Sequence, residues 1–380
     1  MRGHIRRRGK GWCVVVDLGH NEDGRRRQKW HSGFMTRRDA QAALTAILGQ
    51  VQQGGYIEPT KETVAQFFTA WLAGAGASVR ASTLRGYQLL VAAHVLPRLG
   101  PVRLQNLSVA QLNALYADLL VSGRRDGKGG LSPASVKLIH AILHKALADA
   151  VEWGQLPRNP ADHAKPPRPR GRQQLHTWTA QELRAFLESA AAHRFYTIYH
   201  LAATTGCRKG EILGLRWEDV DLAAGRLAVT QTLTRTATGL ALGPVKTARG
   251  RRSVALDART VGVLQAHRRQ QLEQRMMLGL GAPGPTGRVF ANPNGSPVTF
   301  AQVARAYDTS VKASGLPRIR FHDLRHTHAS LALAAGVHPK VVSERLGHST
   351  VAITLDTYSH VIPALQEDAA DTVARAVFGQ

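Results

Sequence analysis

The chain has 380 residues, 43% of them apolar, which is too long for one ordinary core and apolar enough for two or three folded domains. Lys and Arg number 50 against 26 Asp and Glu, a formal charge of +24 that exceeds what solubility requires and calls for a polyanionic partner, nucleic acid or an anionic membrane surface. No apolar run approaches the roughly 20 residues of a membrane span, the N-terminus has no signal-peptide core beyond Val14, Val15 and Val16, and Cys13 and Cys207 match no disulfide framework or zinc spacing. These features favour nucleic acid over membrane and a cytoplasmic, nucleoid-associated protein.

Along the chain, Trp12, Val14 and Val16 alternate, Asn21 to Gly24 turns, and Gln28, Lys29 and Trp30 resume. This pattern predicts a basic β-hairpin, with a third short strand near Phe34. Thr36 then opens a helix with Asp39 in its first turn and Ala40, Ala43, Leu44, Ile47, Leu48 and Val51 at helical spacing. Residues 1–55 thus read as a small sheet packed on one helix. Arg6, Arg7, Arg8, Lys10, Arg25, Arg26, Arg27 and Lys29 flank the strands rather than the apolar helix face, which frees them for phosphate or a groove. A solvated basic tail is the plainer alternative.

From Thr60 the pattern is helical only. Val64, Phe67, Phe68, Trp71 and Leu72 mark one helix; Leu84, Tyr87, Val91 and Val95 a second; Leu112, Leu115, Tyr116 and Leu119, after Ser108, a third. Ser132-Pro133 opens a fourth through Leu138, Ile142, Ala146 and Ala150, and Asn159-Pro160 closes a four-helix bundle over 60–163. Residues 164–175, with Lys165-Pro166-Pro167-Arg168-Pro169-Arg170-Gly171-Arg172, read as an extended basic linker. A capping box from Thr179 to Glu182 begins a larger, mostly helical domain over 176–380, with strands at 226–234 and 252–256. The fold class is therefore mainly α with small β elements, an α+β chain.

Four constellations in that last domain carry chemistry. Arg208, in Thr204-Thr205-Gly206-Cys207-Arg208-Lys209-Gly210-Glu211, falls at a helix-to-helix turn where Glu211 can orient its guanidinium toward a phosphate. Lys246 lies in Pro244-Val245-Lys246-Thr247, where a hairpin lysine is by itself more often solvated than functional. His322 and Arg325, in Arg320-Phe321-His322-Asp323-Leu324-Arg325-His326-Thr327-His328-Ala329, share a helical face and can grip two oxygens of a phosphodiester. His322, His326 and His328 also raise a metal reading, but no acidic ligand stands at zincin spacing and there is no Cys pair. His348, in Leu346-Gly347-His348-Ser349-Thr350, precedes Tyr358 in Asp356-Thr357-Tyr358-Ser359-His360. A phenol attacks phosphorus if its proton is removed and the developing charge is neutralised.

These motifs, in this order, resemble the tyrosine recombinases, specifically the phage-type integrases, and the resemblance covers nearly the whole chain. It implies a type of domain for each segment: an arm-type DNA-binding domain at 1–55, a core-binding domain at 60–163 and a catalytic domain at 176–380. Arg208 and Arg325 would be the catalytic arginine pair, Lys246 the hairpin lysine, His322 and His348 the two histidines, and Tyr358 the nucleophile. Neither a metal nor another cofactor is expected. In the implied mechanism the arginines hold the non-bridging oxygens, His322 takes the proton of Tyr358, Lys246 protonates the 5′ oxygen and His348 hydrogen-bonds the phosphate. The product would be a 3′-phosphotyrosyl bond, with double-stranded attachment sites as substrate and four protomers on two sites. An excision factor and a host DNA-bending protein are the accessory partners implied. The run Ile362, Leu365, Ala369, Val373 and Val377 has helical spacing, suited to docking on a neighbour or on its own domain. A type IB topoisomerase-like enzyme is the nearest rival, which would have no use for a second DNA-binding unit at residues 1–55; a non-catalytic DNA-binding regulator would not need the Arg, Lys, His and Tyr set.

Overall fold

The computed structural model describes residues 3–20, 23–52, 57–168, 176–236, 238–245, 248–358 and 373–379. It is mainly helical with small antiparallel sheets, the fold class that the patterning predicts. Two compact units divide the chain, residues 1–171 and 172–380, each with its own apolar clusters.

In the first unit, β1 (Gly3–Arg8), β2 (Gly11–His20) and β3 (Arg26–Phe34) form an antiparallel meander on α1 (Arg37–Gln52). Val14 and Val16 meet Ala40 and Leu44 in its core, with Ile5, Trp12, Phe34 and Ile47 packed around them. Thr36 Oγ1 accepts the N–H of Asp39 at 3.1 Å and so caps α1. Two expectations need correction. Phe34 ends β3 instead of forming its own strand, and the third strand is β1, which contains Arg6, Arg7 and Arg8 rather than being flanked by them. An edge strand has little need for apolar alternation. Ile5, opposite Val14, packs against the core, the backbone ladder to β2 does the rest, and exposed arginines protect the open edge from unwanted pairing.

The same unit holds the bundle α2 (Val64–Ala75), α3 (Ala81–Leu90), α4 (Leu96–Leu99), α5 (Val109–Ser122) and α6 (Pro133–Glu152). Val64, Phe67, Phe68 and Trp71 are buried against Leu112, Tyr116, Ile139 and Leu143, as their spacing predicts. Between α3 and α4 lies a π-type turn, Val91–Val95, which brings His94 inward. Pro97 supplies no N–H to the turn before it, a local reason for the wider winding that apolar spacing does not reveal. Residues 169–175 of the expected linker lie outside the described residues.

The second unit begins with α7 (Ala180–Ser189), α8 (Tyr196–Thr205) and α9 (Lys209–Gly214). There follow β4 (Val220–Asp221), β5 (Arg226–Val229), β6 (Gln231–Thr236), β7 (Gly239–Pro244) and β8 (Arg252–Ala255), then α10 (Ala258–Met277), α11 (Phe300–Ala313), α12 (Asp323–Ala334), α13 (Pro339–Leu346) and α14 (Val351–Tyr358). The stretch expected as one strand over 226–234 is two strands in separate sheets. β5 lies between β4 and β8, whereas β6 pairs with β7. The break falls at Thr230, whose hydroxyl donates to Asp219 Oδ1 at 2.8 Å. The main core gathers Phe186, Ile198, Tyr199, Ile212, Leu264, Tyr307 and Leu324. A smaller cluster of Ala329, Leu333, Val342, Leu346 and Tyr358 joins α12, α13 and α14. Of the predicted C-terminal run, Ile362, Leu365 and Ala369 lie outside the described residues, while Val373 and Val377 are exposed on a short helix. Among the described residues no helix is long and apolar enough to cross a membrane.

Candidate active site

Two left-handed glycines deliver site residues to one place. Gly206 (φ 66°) ends α8 two residues before Arg208, and Gly347 (φ 68°) ends α13 one residue before His348. Neither tolerates a side chain. A Cβ at Gly206 would lie 2.5 Å from Leu346 Cδ2 and 2.8 Å from His328 Cδ2, and one at Gly347 would lie 3.0 Å from Arg252 Nη1 and 3.2 Å from Arg249 O.

Arg325 of α12 ties these turns together. Its Nη1 donates to Gly206 O at 2.7 Å and its Nη2 to Leu346 O at 2.8 Å, and the residue is only 3% exposed. The remaining guanidinium hydrogens are available to a ligand. Burial first, and then Arg208 and Arg252, push its pKa down to about 10, so it stays charged at neutral pH in a site that lacks enough negative charge. An anion entering the cleft relieves that imbalance.

Arg208 occupies the N-cap position of α9, and its side chain is 42% exposed, within a ligand's reach. Its Nη1 donates to Glu211 Oε1 at 2.8 Å. Glu211 Oε2 accepts the Arg208 backbone N–H and Arg252 Nη2, each at 2.9 Å. Burial opposes the charge on Glu211, but Arg252 and Arg208 outweigh it and hold the carboxyl below its ordinary range. Arg252 also donates from Nε to Arg345 O at 2.6 Å, which links β8, α9 and the end of α13.

His322 precedes α12 and meets His326 edge-on, with ring centroids 5.2 Å apart. Burial, then His326 and Arg325, push the His322 pKa down to about 4; burial, then Arg325 and Arg208, do the same to His348. Both imidazoles are therefore neutral near pH 7. His348 Nδ1 lies 2.8 Å from Thr354 Oγ1, which fixes its ring. Tyr358, at the end of α14, is fully buried in the chain, and its hydroxyl lies 2.9 Å from His326 Nδ1.

Arg208, Glu211, His322, Arg325, His348 and Tyr358 all line one cleft of about 470 Å³. Six of the residues singled out from the sequence thus converge, although the two ends of the set are 150 positions apart. Lys246 lies outside the described residues; Val245 and Gly250, on either side of it, line the same cleft. The hydrogen-bond partner of the Tyr358 hydroxyl is His326, one turn beyond His322 along α12. The sequence signal existed, since His326 is four residues from His322 on the same helical face.

Arg252 was missed for a different reason. The two partners that tie it to the site, Glu211 and the Arg345 carbonyl, are 41 and 93 positions away, and no local pattern announces them. His328, which the metal reading grouped with His322 and His326, accepts from Arg345 Nε at 3.3 Å and directs Nδ1 to Ala203 O at 2.9 Å. Among the described residues no group of three His, Cys, Asp or Glu is arranged to hold a metal.

The basic residues of the first unit are less uniform than their sequence suggested. Arg6, Arg7 and Arg8 border an open groove with Trp30, and Arg6 lies over that ring at 5.8 Å. Lys10 and Arg25 are exposed. Arg26 pairs with Asp17 at 2.7 Å and Lys29 pairs with Glu58, so these two already have anionic partners. The side chain of Arg27 lies outside the described residues.

Comparison with known proteins accounts for this architecture. Residues 174–364 match the phage integrase family, residues 4–51 an arm DNA-binding domain, and residues 63–120 the N-terminal SAM-like domain of phage integrases. A tyrosine recombinase XerC-like protein of Caldanaerobacter subterraneus is 26% identical over 381 aligned positions, covering 95% of each chain. A solved structure of the Tn1549 transposon integrase with a circular intermediate DNA superposes with a TM-score of 0.66 at 20% identity, covering 82% of this chain and 99% of that one. A lambda integrase tetramer bound to a Holliday junction gives a TM-score of 0.52 at 19% identity, over 91% and 95% of the two chains. Fold and family together define a site-specific tyrosine recombinase. The chain belongs to the phage integrase family.

Proposed function

We propose that this recombinase cleaves and rejoins duplex DNA at attachment sites through a 3′-phosphotyrosyl link to Tyr358, and so inserts or excises a phage or other mobile element. The observation that carries this reading is the convergence of a buried phenol with Arg208, Arg325, His322 and His348 on one cleft. Arg208 and Arg325 bind the non-bridging oxygens, where each fixed donor strengthens as negative charge grows on phosphorus. His348 donates to the same phosphate, with its ring held by Thr354. Lys246 protonates the departing 5′ oxygen.

Because the phosphotyrosyl bond conserves the energy of the broken linkage, a 5′ hydroxyl from a second duplex can attack it without nucleotide or metal. Four protomers on two sites then exchange strands in pairs, an assembly whose precedent is the lambda integrase tetramer on its junction. Residues 1–55 serve as the arm-type DNA module, residues 60–163 as the core-binding domain and residues 176–380 as the catalytic domain. A host bending protein and an excision factor are the natural accessory partners for bridging separate sites and setting direction.

The test uses the full chain and a nicked duplex selected from a random-sequence library for binding. Wild type forms a covalent protein–DNA adduct, Tyr358→Phe forms none, and EDTA leaves the yield unchanged. Adduct from Tyr358→Phe overturns the nucleophile; a large loss with EDTA overturns the metal-free mechanism.

A further inference from the structure

We infer that His326, which lies outside the catalytic set assigned above, is the group that accepts the proton of Tyr358 as the phenol attacks phosphorus. The inference rests on the recombinase reading and deepens it. His326 Nδ1 is 2.9 Å from the Tyr358 hydroxyl, within the reach a general base requires, and the two rings pack at 5.7 Å. Among the described residues His322 has no hydrogen bond to Tyr358, and its ring meets that of His326 edge-on. Proton transfer from Tyr358 therefore reaches His326 first.

The need for a base is acute here. Burial pushes the Tyr358 pKa up to about 12, against the opposing pull of Arg325, so the free phenolate is roughly one part in 10⁵ at neutral pH. Several charges face His326. Its own helix carries His322, Asp323 and Arg325; the preceding loop carries Arg320; Tyr358 approaches from α14; Arg208 and His348 lie across the cleft. Burial is the largest influence, and with Arg325 and Arg320 it outweighs Asp323, so the ring is held below its ordinary pKa. A neutral imidazole with its lone pair on Nδ1 and its proton on Nε2 is the form suited to accept from the phenol.

The balance is complete. The Tyr358 O–H bond breaks and an N–H bond forms at Nδ1, while the Oη–P bond forms and the P–O5′ bond breaks. The 5′ oxygen takes a proton from Lys246. On rejoining, the neutral amine of Lys246 takes the proton of the attacking 5′ hydroxyl as the O5′–P bond forms and the Oη–P bond breaks, and the imidazolium of His326 returns its proton to Oη.

The experiment measures single-turnover adduct formation by the full chain on the nicked duplex between pH 5 and 9. Wild type loses rate as pH falls through the His326 titration, below 6.5. His326→Ala is slower by about 10²- to 10⁴-fold at neutral pH and loses that inflection, its rate instead climbing about tenfold per pH unit as phenolate forms. His326→Asn, which can still donate to Oη but accepts no proton at these pH values, behaves like His326→Ala and answers the question if the alanine variant misfolds. His322→Ala lowers the plateau and keeps the inflection. An unchanged inflection in the His326 variants, with adduct still dependent on Tyr358, overturns the base and leaves His326 holding the phenol in place. Adduct without Tyr358 overturns the recombinase reading itself.

Discussion

The helical bundle of the first unit and the cleft of the second are held together by different physics. In the bundle, α2, α5 and α6 meet through Phe67, Phe68, Leu112, Ile139 and Leu143, and burial of apolar area is the main stabilising term. Around the cleft, arginine side chains reach backbone carbonyls across long stretches of chain: Arg325 to Gly206 and Leu346, Arg252 to Arg345, and Arg345 to Thr204 and Ala255. The bundle tolerates imprecision because apolar contact is non-directional. The cleft does not, because a guanidinium aimed at a carbonyl has one geometry and leaves a buried charge when that geometry fails.

That contrast can be attacked experimentally, beginning where the largest effect is expected. Arg325→Ala removes both the proposed transition-state donor and the tie between two glycine turns, so adduct formation should fall by more than the roughly 10²- to 10³-fold of one lost donor. A loss below tenfold would mean that the turns keep their places without it. Arg252 does not line the cleft, yet Arg252→Ala removes one of the two arginines that hold Glu211 and loosens the turn before His348; cleavage should drop about 10- to 100-fold, judged from a 1–3 kcal/mol loss in positioning. Arg252→Lys should restore little, since a lysine cannot serve Glu211 and Arg345 O together. Equal DNA affinity with lower kcat is the signature; a pure loss of affinity would refute the positioning role.

Ile139→Ala should lower stability by about 2–5 kcal/mol in a urea melt and leave cleavage per folded molecule unchanged. A change in kcat there would break the separation of the two regions. Next comes pH. His322, His328 and His348 have folded pKa values pushed down to about 4, below the unfolded value of about 6.5. Their contribution is therefore complete above pH 6.5 and is lost as pH falls toward 4, because the unfolded chain takes up the protons first. Melts at pH 7, 5.5 and 4 should show the second unit weakening over that window, and His328→Gln, which retains a polar group near Arg345 without titrating, should reduce the slope. The smallest effect belongs to the N-terminal sheet. Arg7→Ala should weaken DNA binding modestly and lower the salt slope of affinity by about one, with no change in adduct chemistry.

Legibility followed the same divide. Phe67, Trp71, Leu112 and Ile139 announced their helices because one-sided burial repeats at the helical period within a few residues. Arg208, His322, Arg325, His348 and Tyr358 were legible as motifs, each intact in a short run of chain. The strand Gly3–Arg8 was not, since an edge strand stabilised by backbone pairing needs little apolar pattern. Nor was the break at Thr230, where a side-chain bond to Asp219 divides one β-prone stretch between two sheets.

By itself, then, the amino-acid sequence determined the fold class, the polyanionic partner and the identities of six residues in the cleft, all of which are written in composition or in local motifs. Only the tertiary structure decided which imidazole meets the Tyr358 hydroxyl, that Arg252 holds Glu211, and that Arg325 joins two glycine turns. Those facts depend on how α12, α13, α14 and β8 pack, and a hydrogen bond between groups scores of residues apart leaves no periodic trace in the chain.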